Sequence, residues 1–209
     1  MTYTLFGRPG WGSAIVEAQF AWYGLEFTME EVGDLFGSAP ARDQLRALNP
    51  VAQVPTLVLP DGTVMTESAA ITLHLADVAG NDSLVPAAKD PTRPRFLRWL
   101  IFLVANIYPT FTYVDDPSRF VADPTAQKAF RAAVDEYAKS LWGAVEREAA
   151  ADWFLPRFSA LDIYLAVMTH WRPRRAWFQE HCPRIHAIAL EAEAEPRLAA
   201  VLRRNFPPG

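Results

Sequence analysis

Gln53-Val54-Pro55-Thr56-Leu57-Val58-Leu59-Pro60-Asp61-Gly62-Thr63-Val64-Met65-Thr66-Glu67-Ser68 decides how the chain is read. Thr56 to Leu59 is a short β-branched and aliphatic run, Pro60-Asp61-Gly62-Thr63 is a turn tetrad, and Val64 to Thr66 is a second strand-like run. Together they predict a hairpin. Ser68 then opens a helix in which Ala69, Ala70, Ile71, Leu73 and Leu75 carry the apolar face, and Gly80 sits where a left-handed C-terminal cap belongs. Pro55 stands just before a strand that must pair on a sheet. A proline there removes a ladder donor and invites a cis bond, leaving the backbone of Val54 unpaired. A ligand with peptide groups could join it as an added strand, with Glu67 offering a carboxylate to an ammonium and Ser68 a hydroxyl and helix N-terminus to a carboxylate.

Upstream, Thr2 to Phe6 reads as a strand with Tyr3 and Leu5 on one face and Thr4 and Phe6 on the other, apolar enough to be central. Gly7 to Gly12 is a loop. Ser13 is placed as N-cap of a helix that buries Ile15, Ala18, Ala21 and Trp22, with Val16 and Phe20 flanking, and ends at Gly24. Leu25 to Val32 alternates as a half-buried strand, Asp34 to Pro40 is loop, and Ala41 to Leu48 is a short helix halted at Asn49-Pro50. One parallel crossover followed by a hairpin gives a thioredoxin-like order over residues 1–80. Where thioredoxins and glutaredoxins carry a cysteine pair, this chain has Gly10-Trp11-Gly12-Ser13, which excludes dithiol chemistry by the protein itself.

Residues 81–91 are polar, with Pro86 and Pro91, and read as a linker. Beyond them, over 92–209, no strand pattern appears. Pro94 opens a long helix reaching about Thr112, a second runs from Thr125 to about Ala150, and the two should pack antiparallel. Ser159 and Asp162 form a capping box, and Phe158 against Ile163 a hydrophobic staple, before an apolar helix that runs to Trp171. Arg172-Pro173-Arg174-Arg175 reads as a solvated helix end, and Cys182 as a packing residue. The fold class expected is therefore an α/β thioredoxin-like N-terminal domain followed by an all-α helical bundle domain.

The 209 residues are ample for two domains. With 51% hydrophobic and 21% charged residues and a formal charge of −4, the chain is globular in composition and an improbable partner for nucleic acid. Residues 1–80 hold three basic against nine acidic side chains, so an anionic substrate there needs local donors. The most apolar stretch, Trp99 to Val114, is broken by Asn106 and Pro109 and falls short of a membrane span of roughly 20 residues. The start lacks the pattern of a secretion signal. A single cysteine excludes an internal disulfide and fits a reducing cytoplasm, and no His and Cys group has metal-ligand spacing.

The Val-Pro pair before one strand, the Glu-Ser pair after the next and the later Ser-x-x-Asp box resemble the cytosolic glutathione S-transferase family over almost the whole chain. The likeness is to the bacterial beta-like or related Ser/Cys-type members. That resemblance implies glutathione as co-substrate, held by Gln53, Val54, Pro55, Glu67, Ser68 and Trp11, with no metal. It implies a thiolate that attacks a small hydrophobic electrophile, peroxide or disulfide in detoxification, and a cytoplasmic homodimer with Met65, Ala69, Phe96 and Trp99 as candidate contacts. The sequence departs from the family at the sulfur. Phe6 stands at the strand-end tyrosine position, and Gly10 and Gly12 stand where Ser or Cys is usual. Ser13 is the nearest hydroxyl, read either as a thiolate contact or as a simple N-cap, with backbone amides of Trp11 to Ala14 as an alternative. Tyr108, with Asn106, matches the place of a His that reaches the sulfur in the beta-like class. Trp11, Phe36, Tyr108, Phe111 and Trp171 are candidates for an apolar pocket wall. A noncatalytic glutathione or hydrophobic-ligand binding protein on the same scaffold is the competing reading.

Overall fold

The computed structural model describes residues 2–150 and 152–207. The chain divides into two compact units, Met1–Ala87 with Glu191–Gly209, and Ala88–Leu190.

In the first unit, β1 (Tyr3–Gly7), α1 (Ser13–Tyr23), β2 (Phe27–Glu31), α2 (Ala39–Arg46), β3 (Thr56–Val58), β4 (Val64–Met65) and α3 (Ser68–Ala79) follow in the expected order. The sheet order is β2-β1-β3-β4, with β1 parallel to β2 and antiparallel to β3, and β4 closing the hairpin on β3. This is the thioredoxin-like arrangement read from the sequence. The two faces of β1 separate as its alternation requires. Leu5, with Tyr3 beside it, joins Val16, Phe20, Leu57, Ile71 and Leu75, while Phe6 packs with Leu35, Leu45 and Ala52 on the opposite face. Gly24 and Gly80 close α1 and α3 in left-handed conformation, at φ 65° and 63°.

Several boundaries differ. β2 is an edge strand, exposed from Thr28 to Glu31, because its other side has no strand to pair with; Glu30 and Glu31 there discourage edge-to-edge pairing. α2 starts earlier, with Ser38 as N-cap accepting from Ala41 N at 3.3 Å and Pro40 in the first turn, where a missing N–H costs nothing. Val16 and Phe20 belong to the core rather than flanking it, and α1 is buried nearly all round from Ser13 to Phe20. The cover comes from α10 (Pro196–Asn205), whose Arg204 pairs with Glu17 and whose Arg197 lies over the Trp22 ring at 4.4 Å. The tail that was expected in a helical domain of 92–209 therefore belongs to the first unit.

In the second unit, α4 (Arg93–Phe102), a π-turn (Leu103–Ile107) and α5 (Tyr108–Asp115) form one continuous helix. Pro109 has no N–H for the carbonyl of Ala105, and the ladder slips one residue so that Tyr108 N reaches Leu103 O. The helix continues through Asn106 and Pro109 instead of breaking. It has 23 residues, and a window of 18 of them reaches a mean hydropathy of 1.2, so it is long and apolar enough to cross a membrane by length and composition, contrary to the shorter stretch read from the sequence. Trp99, Leu100, Leu103, Ile107 and Val114 along it are buried. A 3-10 turn (Pro117–Arg119), α6 (Gln127–Glu148), α7 (Ala160–Met168), α8 (Arg175–His181) and the first part of α9 (Pro183–Ala194), which passes into the first unit at Glu191, follow.

α7 is buried along its whole length, and its capping box is formed. Asp162 Oδ2 accepts from Ser159 N and its Oδ1 from Phe154 N, both at 2.8 Å. Phe158 meets Trp153 edge-on, ring centroids 4.8 Å apart. Phe96, Trp99 and Ala69, expected at a dimer contact, are buried within the chain itself, which leaves Met65 of the four with partial exposure.

Candidate functional site

The site is built on the sheet's hairpin. Phe6 pairs with Thr56 and Leu57 with Met65 in an antiparallel hairpin, so the entry to β3 that carries Val54–Pro55 and the exit from β4 that carries Glu67 and Ser68 lie at the same end of it. The Val54–Pro55 bond is cis. Neither peptide group of Val54 has a hydrogen-bond partner among the described residues, as an open edge for a ligand requires. Two side chains that the sequence reading missed hold this corner. Asn49, buried, donates from Nδ2 to the Gln53 carbonyl and to Thr56 Oγ1, each at 3.0 Å, and Thr56 Oγ1 donates to the same carbonyl at 2.8 Å. The only sequence signal for Asn49 was a helix stop before Pro50. The side chain of Gln53 is exposed.

Glu67 is the N-cap of α3, with φ 65° and ψ 104°, a conformation unfavourable to a residue with a side chain. Its carboxylate is exposed and makes one long contact, from Thr66 Oγ1 at 3.4 Å. Ser68 begins α3 and is buried. Its carbonyl accepts from Thr72 Oγ1 at 2.8 Å, while its hydroxyl is without a partner among the described residues. An acceptor for an ammonium and the N–H donors of a helix start are thus held side by side.

The loop after β1 departs from expectation at Ser13. Gly12 is the N-cap of α1 and no side chain caps it; Ser13 is the first helical residue. Its hydroxyl turns back instead, accepting from Arg8 N at 3.0 Å and donating to Arg8 O at 3.2 Å. Ser13 fills the space beside Gly7, where an added Cβ would lie 2.4 Å from Ser13 Cβ. Trp11 N is bonded to Arg8 O, Ala14 N to Trp11 O and Ile15 N to Gly12 O, so the N–H groups of Gly12 and Ser13 are those left over at the helix start among the described residues. Trp11 packs on Phe36, centroids 5.1 Å apart, under the Arg8 guanidinium.

In the second unit, Tyr108 joins Phe111 and Trp171 in a set of mutually edge-on rings, at 6.1, 5.4 and 5.1 Å. The five expected wall residues therefore form two groups, one in each unit. Cys182 is interior and burial pushes its thiol up to about 12, which removes it as a nucleophile.

Residues 15–78 match the family model of the glutathione S-transferase N-terminal domain. Over 203 residues the chain is 37% identical to an uncharacterized GST-like protein of Escherichia coli (strain K12), YncG, covering 96% of this chain and 97% of that protein. The chain belongs to the glutathione S-transferase family. It is also 27% identical over 204 residues to glutathione S-transferase GstA of Escherichia coli O157:H7, covering 96% of this chain and 90% of that one. Among solved structures, a sphingomonad glutathione S-transferase complexed with glutathione superposes with a TM-score of 0.78 at 27% identity, over 98% of this chain and all of that one. At the expected sulfur end, Phe6 packs into the smaller core cluster, Gly10 and Gly12 carry no side chain, and Ser13 is committed to Arg8.

Proposed function

We propose that the first unit binds glutathione and holds it as a thiolate for attack on a small hydrophobic electrophile, or on a peroxide or disulfide. The observation that carries this reading is the open backbone of Val54, just before β3, at the same end of the hairpin as the strained, exposed Glu67 and the start of α3. Glutathione supplies peptide groups for Val54, an ammonium for Glu67 and a carboxylate for Ser68, with Gln53 and Pro55 bordering the same end and Trp11 the other. Thiolate stabilisation is assigned to the N–H groups of Gly12 and Ser13 at the start of α1. Backbone donors there favour the anion without a catalytic hydroxyl, and lowering a thiol from about 8.5 by two units corresponds to roughly 2.7 kcal/mol. The Ser13 hydroxyl is given a structural role, and the Tyr108, Phe111 and Trp171 rings are assigned to the electrophile. Detoxification, a cytoplasmic location and a homodimer belong to the same reading.

The competing function, a glutathione or hydrophobic-ligand binding protein without catalysis, is favoured by Gly10 and Gly12 and by the engagement of Ser13 with Arg8. Ultraviolet titration of bound glutathione, run beside a screen of electrophiles, peroxides and mixed disulfides, separates the two. A thiolate at neutral pH with turnover supports the transferase; binding with an unperturbed thiol and no turnover supports the binding protein; no binding of glutathione or of the screened hydrophobic compounds removes both.

A further inference from the structure

The loop that carries the two unused amides is anchored from the far end of the chain. Gly10 N donates to Asn205 Oδ1 at 3.0 Å, and Gly10 has φ 78° with the Asn205 carbonyl 3.3 Å from where a Cβ would lie. Asn205, 7% exposed at the end of α10, donates from Nδ2 to Glu17 Oε2 at 2.7 Å and to Val201 O at 3.0 Å. Glu17, 4% exposed, takes Arg204 on its other oxygen. The side-chain amide has one possible orientation in this setting. A carboxylate only accepts, so Nδ2 must face Glu17, and Oδ1 must face the Gly10 N–H.

We propose that Asn205 is a positioning residue for the thiolate, fixing Gly10 so that the N–H groups of Gly12 and Ser13 stay aimed at the sulfur. The inference rests on the thiolate assignment made above. Gly10 and Gly12 flank Trp11, and glycines give a loop more conformations than any other residue. Donors that wander stabilise an anion poorly, whereas donors fixed in advance need no reorganisation when charge develops. Gly10 is bonded on one side to Asn205, and the next residue, Trp11, closes its turn on Arg8. Glu17 serves by orienting Asn205, and Arg204 by neutralising Glu17, whose uncompensated charge one turn into α1 would oppose a thiolate.

The test compares Asn205→Ala with Arg197→Ala. Arg197 belongs to the same α10–α1 contact through Trp22 and takes no part in the bonds to Gly10 or Glu17. Each variant is titrated with bound glutathione, and its affinity for S-methylglutathione, which has no thiol to ionise, is measured by calorimetry. In Asn205→Ala the thiolate pKa should rise by about one unit and the rate at neutral pH fall up to about tenfold, with S-methylglutathione affinity kept within about twofold. Arg197→Ala should lose stability and keep the wild-type pKa. A wild-type pKa in Asn205→Ala, or an equal shift in both variants, would overturn the inference and leave the thiolate assignment standing. Absence of a thiolate in the wild-type complex would remove the assignment itself, and the inference with it. Amide hydrogen exchange of the wild-type protein gives a reading independent of variant folding. Gly10 N–H should exchange more slowly than those of Gly12 and Ser13, and equal rates would overturn the proposal.

Discussion

Ser13 and Arg8 hold one another by two hydrogen bonds, the serine hydroxyl accepting from the arginine N–H at 3.0 Å and donating to its carbonyl at 3.2 Å. Ser13→Ala leaves the N–H of Arg8 without this partner at a partly buried site, while its carbonyl keeps Trp11 N, and an unsatisfied buried group costs about 1–3 kcal/mol. We expect urea denaturation to show a loss in that range, while the thiolate pKa of bound glutathione stays at its wild-type value. A raised pKa in a variant of unchanged stability would return the hydroxyl to the sulfur.

Glu67 sits at φ 65° and ψ 104°, a conformation that costs a non-glycine residue of the order of 1–3 kcal/mol. Glu67→Gly removes that strain but adds freedom to the unfolded chain, about 0.5–1 kcal/mol in the other direction. The net expectation is a protein stabilised by roughly 1 kcal/mol that binds glutathione more weakly, because the ammonium loses its carboxylate. Glu67→Ala should lose the same affinity without the stability gain. Calorimetry and thermal denaturation of the pair check both statements, and wild-type affinity in either variant would remove Glu67 from the site.

Much of this was legible from local pattern. Leu5 against Phe6, the Pro60–Thr63 turn, Gly80 as a cap and the Ser159–Asp162 box each depend on neighbours a few residues away, and the structure has them as read. What escaped was set over long separations. Asn205 meets Gly10 across 195 positions and Arg204 meets Glu17 across 187, and neither pair leaves a periodic trace. The N-cap reading of Ser13 failed for a different reason. Its position after a glycine loop suits an N-cap, but Gly7 leaves a space at the end of β1 that draws the side chain backwards.

Asn49 supplies the next test. Its amide holds the Gln53 carbonyl and Thr56 Oγ1 just outside the Val54–Pro55 pair. Asn49→Ala should destabilise the protein by about 1–3 kcal/mol through the lost buried bonds, and should also weaken glutathione binding because the edge it pairs with is no longer fixed. Asn49→Asp keeps the acceptor for Val51 N but offers no donor to the Gln53 carbonyl, so it should lose affinity as well. Full affinity in both variants would show that Val54 is held without this corner.

Asp162 makes stability depend on pH in a direction opposite to that of most carboxylates. Burial pushes its carboxyl up from 3.8 to about 6, against the hydrogen bonds from Phe154, Ser159 and its own backbone that favour the anion. In the window between those values the folded state holds the proton that the unfolded state has already released, so stability falls as pH rises through it. A shift of this size corresponds to about 3 kcal/mol, fully present below the unfolded value and gone above the folded one. Asp162→Asn cannot titrate, and it turns an N–H2 toward donors that need an acceptor, so it should be less stable than wild type throughout. The gap between the two proteins, measured by denaturant unfolding, should therefore be wider near pH 4 than near pH 7. A gap that is constant, or that widens toward neutral pH, would mean that Asp162 is ionised in the folded protein over the whole range and that its hydrogen bonds outweigh its burial.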